Sequence, residues 1–149
     1  MIKVASINDI KLICEFKLRL FEESGHIKLL HEDVRNIVEK EYIKMYSEQK
    51  AIHFFEEVDG KIISCAGAFI KSDIPYCFFE TPFYGFIGDV YTLPEYRKNG
   101  YATKLTNESI TWLRNKGVKN ISLLATEQAR NIYSKIGFKS TDDMKLFFE

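Results

Sequence analysis

A short run of the chain carries side chains whose types and spacing suit an anion. Pro94-Glu95-Tyr96-Arg97-Lys98-Asn99-Gly100-Tyr101-Ala102 stands between an apolar segment and an amphipathic one. If the second is a helix, its first N–H groups lack intrahelical acceptors and carry a partial positive charge of about half a unit. Gly100 and the small Ala102 leave room for a pyrophosphate to approach the backbone. Arg97 adds a planar donor fork and Thr103 a hydroxyl, while Pro94 ends any sheet pairing before the turn. The pattern equally describes an ordinary loop in which Gly100 makes a turn and Arg97 is solvated, and it leaves both readings open. It matches neither G-x-x-x-x-G-K-[ST] nor G-x-G-x-x-G, so the usual nucleotide loops are poor fits.

The elements that must position this run follow from periodicity. Ile2 to Ser6 predicts a strand, and Asn8 or Asp9 caps a helix carrying Ile10, Ile13, Cys14, Leu20 and Phe21. Ser24-Gly25-His26 breaks it, and a second helix is expected from Glu32 to Gln49 with Val34, Ile37, Val38, Tyr42 and Met45 on one face. Ala51–Val58, Asp59-Gly60 and Lys61–Lys71 form a hairpin signal with a type I′ turn. A loop from Ser72 to Pro82 leads to a strand over Phe83–Thr92. A helix over Gly100–Lys116 ends at Gly117, a strand covers Asn120–Ala125, and Thr126 caps a helix that Gly137 stops. Met144–Phe148 predicts a last strand. The order is β-α-α-β-β-β-α-β-α-β, an α/β (α+β) chain with a mixed sheet flanked by helices.

Composition bounds what such a chain does. Its 149 residues fit one domain, 1–149, and 46% hydrophobic with 28% charged residues is ordinary for a globule. Basic and acidic residues number 21 each, so the electrostatic footprint of a nucleic-acid binder is missing. The longest nearly apolar run, Ile62 to Ile70, is too short to cross a bilayer, and Asp9 and Glu15 interrupt any signal-like start. A cytoplasmic protein without membrane association is expected. Cys14, Cys65 and Cys77 form no CxxC pair and read as free thiols. With His26, His31 and His53 they make no metal-ligand spacing, so no metal is expected.

The run Asp89-Val-Tyr-Thr-Leu-Pro-Glu-Tyr-Arg-Lys-Asn-Gly-Tyr-Ala resembles the coenzyme-binding motif of the GCN5-related N-acetyltransferase (GNAT) family, [RQ]-x-x-G-x-[GA] after a strand and a proline. Ala129-Arg-Asn-Ile-Tyr133-Ser-Lys-Ile-Gly137-Phe138 is similar to that family's A-x-x-x-Y-x-x-x-G-F helix, and the element order is also the family's. The resemblance implies a centrally splayed sheet with acetyl-CoA in the gap between the strands ending at Thr92 and Ala125. Backbone of Val90, Tyr91 and Thr92 would pair with pantetheine and polarise the thioester carbonyl. Arg97, Lys98, Asn99, Gly100, Tyr101 and Ala102 would hold the pyrophosphate, chiefly through the N–H groups of Asn99, Gly100 and Ala102. Thr126 stands where many members carry an Asn that contacts pantetheine, a weakened contact. Thr92 replaces the commoner Val, which a backbone role tolerates.

Within this resemblance Tyr133 is the expected donor to the departing thiolate, although by its spacing alone it reads as a core tyrosine beside Ala129, Ile132 and Ile136. Asp89 is the candidate general base for the attacking amine, with a pKa raised by burial; the alternative is a strand carboxylate satisfied by backbone or a neighbouring lysine. Glu80 is held in reserve. The expected reaction moves acetyl to a primary amine by direct attack, since Cys65 and Cys77 lack an evident partner base. A non-catalytic acyl-CoA sensor or degenerate homologue is the rival, and an unrelated phosphate-ligand domain a third. The acceptor, a small molecule or peptide, would meet Ser24–His31 and the aromatic residues Tyr76, Phe78, Phe79 and Phe83, for which plain packing is the simpler role. Small members of the family often pair subunits, which allows a homodimer.

Overall fold

Strands β2 (Ala51–Val58) and β3 (Lys61–Ser72) meet at Asp59 and Gly60, whose φ values of 49° and 79° make the turn the sequence predicts. The computed structural model describes residues 1–26, 32–75 and 80–148. Around that hairpin lie β1 (Ile2–Val4), β4 (Phe83–Thr92) and β5 (Ile121–Leu123), in the spatial order β1-β2-β3-β4-β5. The first four strands pair antiparallel and β4 with β5 parallel, so the sheet is mixed as expected.

Helices α1 (Ile10–Glu23) and α2 (Val34–Ser47) cover one face. Ile10, Ile13, Cys14 and Phe16 of α1 and Tyr42 of α2 pack there with Phe55, Ile63, Cys65, Phe69 and Tyr91. A 3-10 turn at Ile7–Asp9, held by a capping box from Ser6, precedes α1. Helix α3 (Tyr101–Asn115) covers the other face, where Leu105 and Leu113 meet Ala66, Ala68 and Ile87. Helix α4 (Arg130–Ile136) follows β5 and stops at Gly137, φ 124°.

Two features of β4 shape the site. Between the pairs Cys65↔Tyr91 and Gly67↔Gly88, β3 moves two residues while β4 moves three, so β4 carries an extra residue. Asp89 lies in this bulge with φ 56°, a left-handed conformation that only short polar side chains and glycine adopt readily. The parallel pairing with β5 spans only Gly85↔Ile121 to Ile87↔Leu123 and ends just before the bulge. From Asp89 onward, β4 has no strand on its β5 side among the described residues. The sheet thus opens between β4 and the edge strand β5, not at its centre as expected, because the last expected strand beyond β5 is missing among the described residues.

The last expected strand does not form. Met144–Phe148 is irregular, with Met144, Leu146, Phe147 and Phe148 exposed. Strand β5 is also shorter than expected, and an edge this short offers few positions for an apolar run to pair with. No helix among the described residues is long and apolar enough to cross a membrane.

Candidate active site

Below the bulge, β4 ends at Thr92, a 3-10 turn covers Pro94–Tyr96, and α3 begins at Tyr101. Lys98 (φ 66°) and Gly100 (φ 79°) bend the chain so that it meets the helix from outside. Gly100 sits at the N-cap and supplies no side-chain cap, and Lys104 N–H to Gly100 O (3.0 Å) is the first helical bond. The N–H groups of Lys98, Asn99, Gly100, Tyr101, Ala102 and Thr103 therefore reach no acceptor among the described residues. Nothing lies within 4 Å of the position a Cβ would take on Gly100. Successive free N–H groups, an open approach and the helix dipole together fit a pyrophosphate.

The side chains of this run do less than the sequence suggests. Arg97 turns back: its Nε donates to Thr92 O (2.9 Å) and Nη2 to Glu23 Oε2 (2.6 Å), with the guanidinium over the Tyr91 ring. Tyr91 is buried and its hydroxyl donates to Glu23 Oε1 (2.7 Å). Glu23 is held below the usual carboxylate range: partial burial opposes this, but the hydrogen bonds from Tyr91 and Arg97 outweigh it. Arg97 and Tyr91 thus brace the loop against α1. Asn99 Nδ2 braces it from within, donating to Tyr96 O and Arg97 O. Thr92 Oγ1 is tied to Ser64 (2.7 Å). What faces the gap is the backbone of Val90, Tyr91 and Thr92, which has no strand partner on that side among the described residues.

Across the splay, the N-cap of α4 is Ala129, not Thr126 as expected; Thr126 closes the turn before the helix, its Oγ1 accepting from Ala129 N–H (3.3 Å) and its carbonyl from Ala129 and Arg130. Tyr133 is 7% exposed and lies edge-on to Phe138, with no hydrogen-bond partner for its hydroxyl among the described residues. Burial raises its pKa, so it stays protonated at neutral pH.

Asp89 differs from expectation in its protonation. Its buried carboxylate accepts from Lys17 Nζ (2.6 Å), from His53 Nε2 (2.8 Å) and, through a very short bond, from Tyr42. Burial alone would raise its pKa, but the Lys17 charge and the His53 hydrogen bond hold the group well below the ordinary range. The expected raised pKa is overturned, and the neighbouring-lysine alternative describes the residue. Because the carboxylate is ionised, His53 Nε2 must carry the proton it shares with Asp89. His53 Nδ1 meets the Tyr46 hydroxyl at 2.7 Å, and burial holds both Tyr42 and Tyr46 in their protonated forms.

Lys17, Tyr42, Tyr46 and His53 form with Asp89 a buried cluster that the sequence did not bring together. One signal was present. His53 takes an inward position between Ala51 and Phe55 in the period-two pattern of β2, and a buried histidine requires partners. Its register partner is Gly67, where an added Cβ would lie 2.7 Å from His53 Nε2, so the glycine makes room for the ring. Cys14 and Cys65 are buried, Cys14 pushed up to about 11 and Cys65 raised by burial, so neither is a ready nucleophile. Glu80 is exposed. His31, Tyr76, Cys77, Phe78 and Phe79, with most of the expected Ser24–His31 acceptor segment, lie outside the described residues. No group of His, Cys, Asp and Glu side chains able to hold a metal occurs among the described residues.

The model of the acetyltransferase (GNAT) family matches residues 15–138. No curated protein matches this chain. Among solved structures, a predicted acetyltransferase from Clostridium acetobutylicum with acetyl-CoA superposes at a TM-score of 0.89 and 22% identity, over 99% of this chain and 95% of that one. A GCN5-related N-acetyltransferase from Ralstonia eutropha JMP134 gives 0.90 at 19% identity, over 99% and 97%. An aminoglycoside 6'-N-acetyltransferase from Acinetobacter haemolyticus gives 0.73 at 22% identity, over 100% and 97%. At these identities the likeness is one of fold.

Proposed function

The chain belongs to the acetyltransferase (GNAT) family, and from that premise we propose that it transfers acetyl from acetyl-CoA to a primary amine by direct attack. The observation that carries this reading is the row of unpaired N–H groups from Lys98 to Thr103 at the open end of β4. Those groups would hold the pyrophosphate, and the edge of β4 over Val90 to Thr92, which no strand covers on the β5 side among the described residues, would align pantetheine. Arg97 and Tyr91 contribute by fixing the loop against Glu23.

Acetyl-CoA supplies the acyl group and a thiol leaving group. An N–C bond forms as the C–S bond breaks; the amine gives up a proton and the thiolate gains one. Tyr133 is suited to hydrogen-bond the developing thiolate. An ordinary tyrosine is already about 1.5 pK units weaker an acid than a thiol, roughly 2 kcal/mol uphill for full transfer. Burial widens that gap, so Tyr133 donates a hydrogen bond while the proton arrives later. Asp89 is assigned a positioning role: it fixes Lys17, Tyr42 and His53 beside the bulge, and the amine proton leaves by another route.

The locked charge of Asp89 favours a second reading, an acyl-CoA sensor without turnover, because it removes the expected base. Thiol release from acetyl-CoA in the presence of an amine panel separates the two. Amine-dependent release supports the transferase; binding of CoA without release with any amine supports the sensor. Binding itself is read from melting: CoA at a hundred times its Kd should stabilise by about 2.7 kcal/mol, and no shift would refute both readings.

A further inference from the structure

The face of the sheet under α1 and α2 has an unusual charge pattern on the far side of the bulge from the cradle. Lys71, near the end of β3, is half-buried and makes no ion pair among the described residues. Its ammonium rests 3.7 Å from the centre of the Phe86 ring, whose own neighbour is Phe69. Lys17 lies on the same face, its ammonium 5.3 Å from the Phe21 ring and 5.6 Å from Tyr42. Burial lowers the Lys71 pKa, and the charges of Lys17 and Lys145 lower it further against the opposing pull of Asp89. Lys17 already has its counter-charge in Asp89 (2.6 Å), whereas Lys71 has none among the described residues, and a half-buried ammonium favours the arrival of one.

Two of the acidic groups bordering this face are engaged by cations within the fold. Asp89 is held by three donors, and Glu23 by Tyr91 and Arg97. Asp73 accepts from the N–H of Ile74 (2.8 Å). The Glu39 charge acts on Cys14, one turn of α1 before Lys17. A polycationic acceptor would find the Lys71 ammonium where it needs a carboxylate.

We propose that the acceptor is an amine that also carries an anionic group, a carboxylate or phosphate, and that Lys71 receives that group. This rests on the amine-transfer reading above and adds the substrate class. Phe86 precedes Asp89 by three residues, roughly 10 Å along a strand, so amine and anion are separated by several bonds. The Phe86 ring lines the methylene chain between them and keeps the Lys71 ammonium in place.

The test compares three acceptors of similar length that differ at the far end: 6-aminohexanoate, hexylamine and 1,6-diaminohexane. The expected order of kcat/KM is anion, neutral, cation, with 6-aminohexanoate above the diamine by about tenfold or more, the lower end for a charge-assisted contact. In Lys71→Met the preference collapses while hexylamine turnover and the CoA-induced melting shift persist; Lys71→Arg retains the preference. Equal turnover of the three, or a preference that survives Lys71→Met, overturns this inference and leaves the transferase reading standing. CoA binding without transfer to any amine refutes the transferase reading, and this inference with it.

Discussion

Replacing Asp89 with Asn removes a single negative charge from between Lys17, Tyr42 and His53 while leaving the backbone alone. Asn tolerates the left-handed conformation at φ 56° as well as Asp does, so the change isolates the electrostatic contribution. Breaking a buried ion pair costs about 3–5 kcal/mol. The low end applies, because the Lys17 side chain is 22% exposed and its ammonium can turn to water. At neutral pH the variant should be about 3 kcal/mol less stable in urea, which for a chain of this size lowers Tm by roughly 6–12 °C. The pH dependence has a definite sign. Asp89 is depressed in the fold, so its contribution is complete above the unfolded pKa of about 3.9 and is lost as pH falls toward the folded value. The gap between wild type and variant should therefore narrow below about pH 4 and be constant from pH 5 to 8. Kinetics supply a second arm. A general base titrating near neutrality would give kcat/KM an acidic limb that the Asn variant lacks. The structure predicts that any such limb survives the substitution. Its disappearance, or an unchanged stability at pH 7, would refute the assignment.

Tyr133→Phe should lower kcat by about a hundredfold, the scale for one transition-state donor, with CoA affinity by calorimetry nearly unchanged. Gly67→Ala places a Cβ 2.7 Å from His53 Nε2 and 2.9 Å from the Phe69 ring; a loss of about 1–3 kcal/mol in denaturant unfolding is expected. Gly100→Ala meets no atom within 4 Å but is strained at φ 79°; it should cost about 1 kcal/mol of stability and weaken CoA binding more than the fold.

The cradle was the most legible part of the site because it is local: Pro94, Gly100 and the helix start lie within one short run, and backbone geometry follows from residue type. The Asp59-Gly60 turn was readable for the same reason. The Asp89 cluster was not. Its members come from α1, α2, β2 and β4, up to 72 residues apart, and Lys17 in a helix pattern looks like any solvated lysine. The direction of the Asp89 shift depended on those partners, since burial alone argues for the opposite sign. The Arg97 side chain illustrates the same limit: its donor fork is identifiable by type, but its engagement with Glu23 on α1 requires the packed fold. The last strand was expected from the β-prone run Met144–Phe148, yet a strand needs a partner, and local propensity does not supply one.

The strand order has a kinetic meaning. From β1 to β5 the sheet follows the chain order, and the β2–β3 turn makes the first large pairing a local one. Among the described residues only the β4–β5 pair is parallel, joined across α3 and held over three register positions. The gap that would receive the coenzyme opens beside that short parallel seam, with Asp89 and the cradle on its early-closing bank and Tyr133 on its late-closing one. Local opening should start there. A ligand spanning both banks would act as a clasp, and amide exchange in β5 and α4 should slow on CoA addition more than in the β2–β3 hairpin.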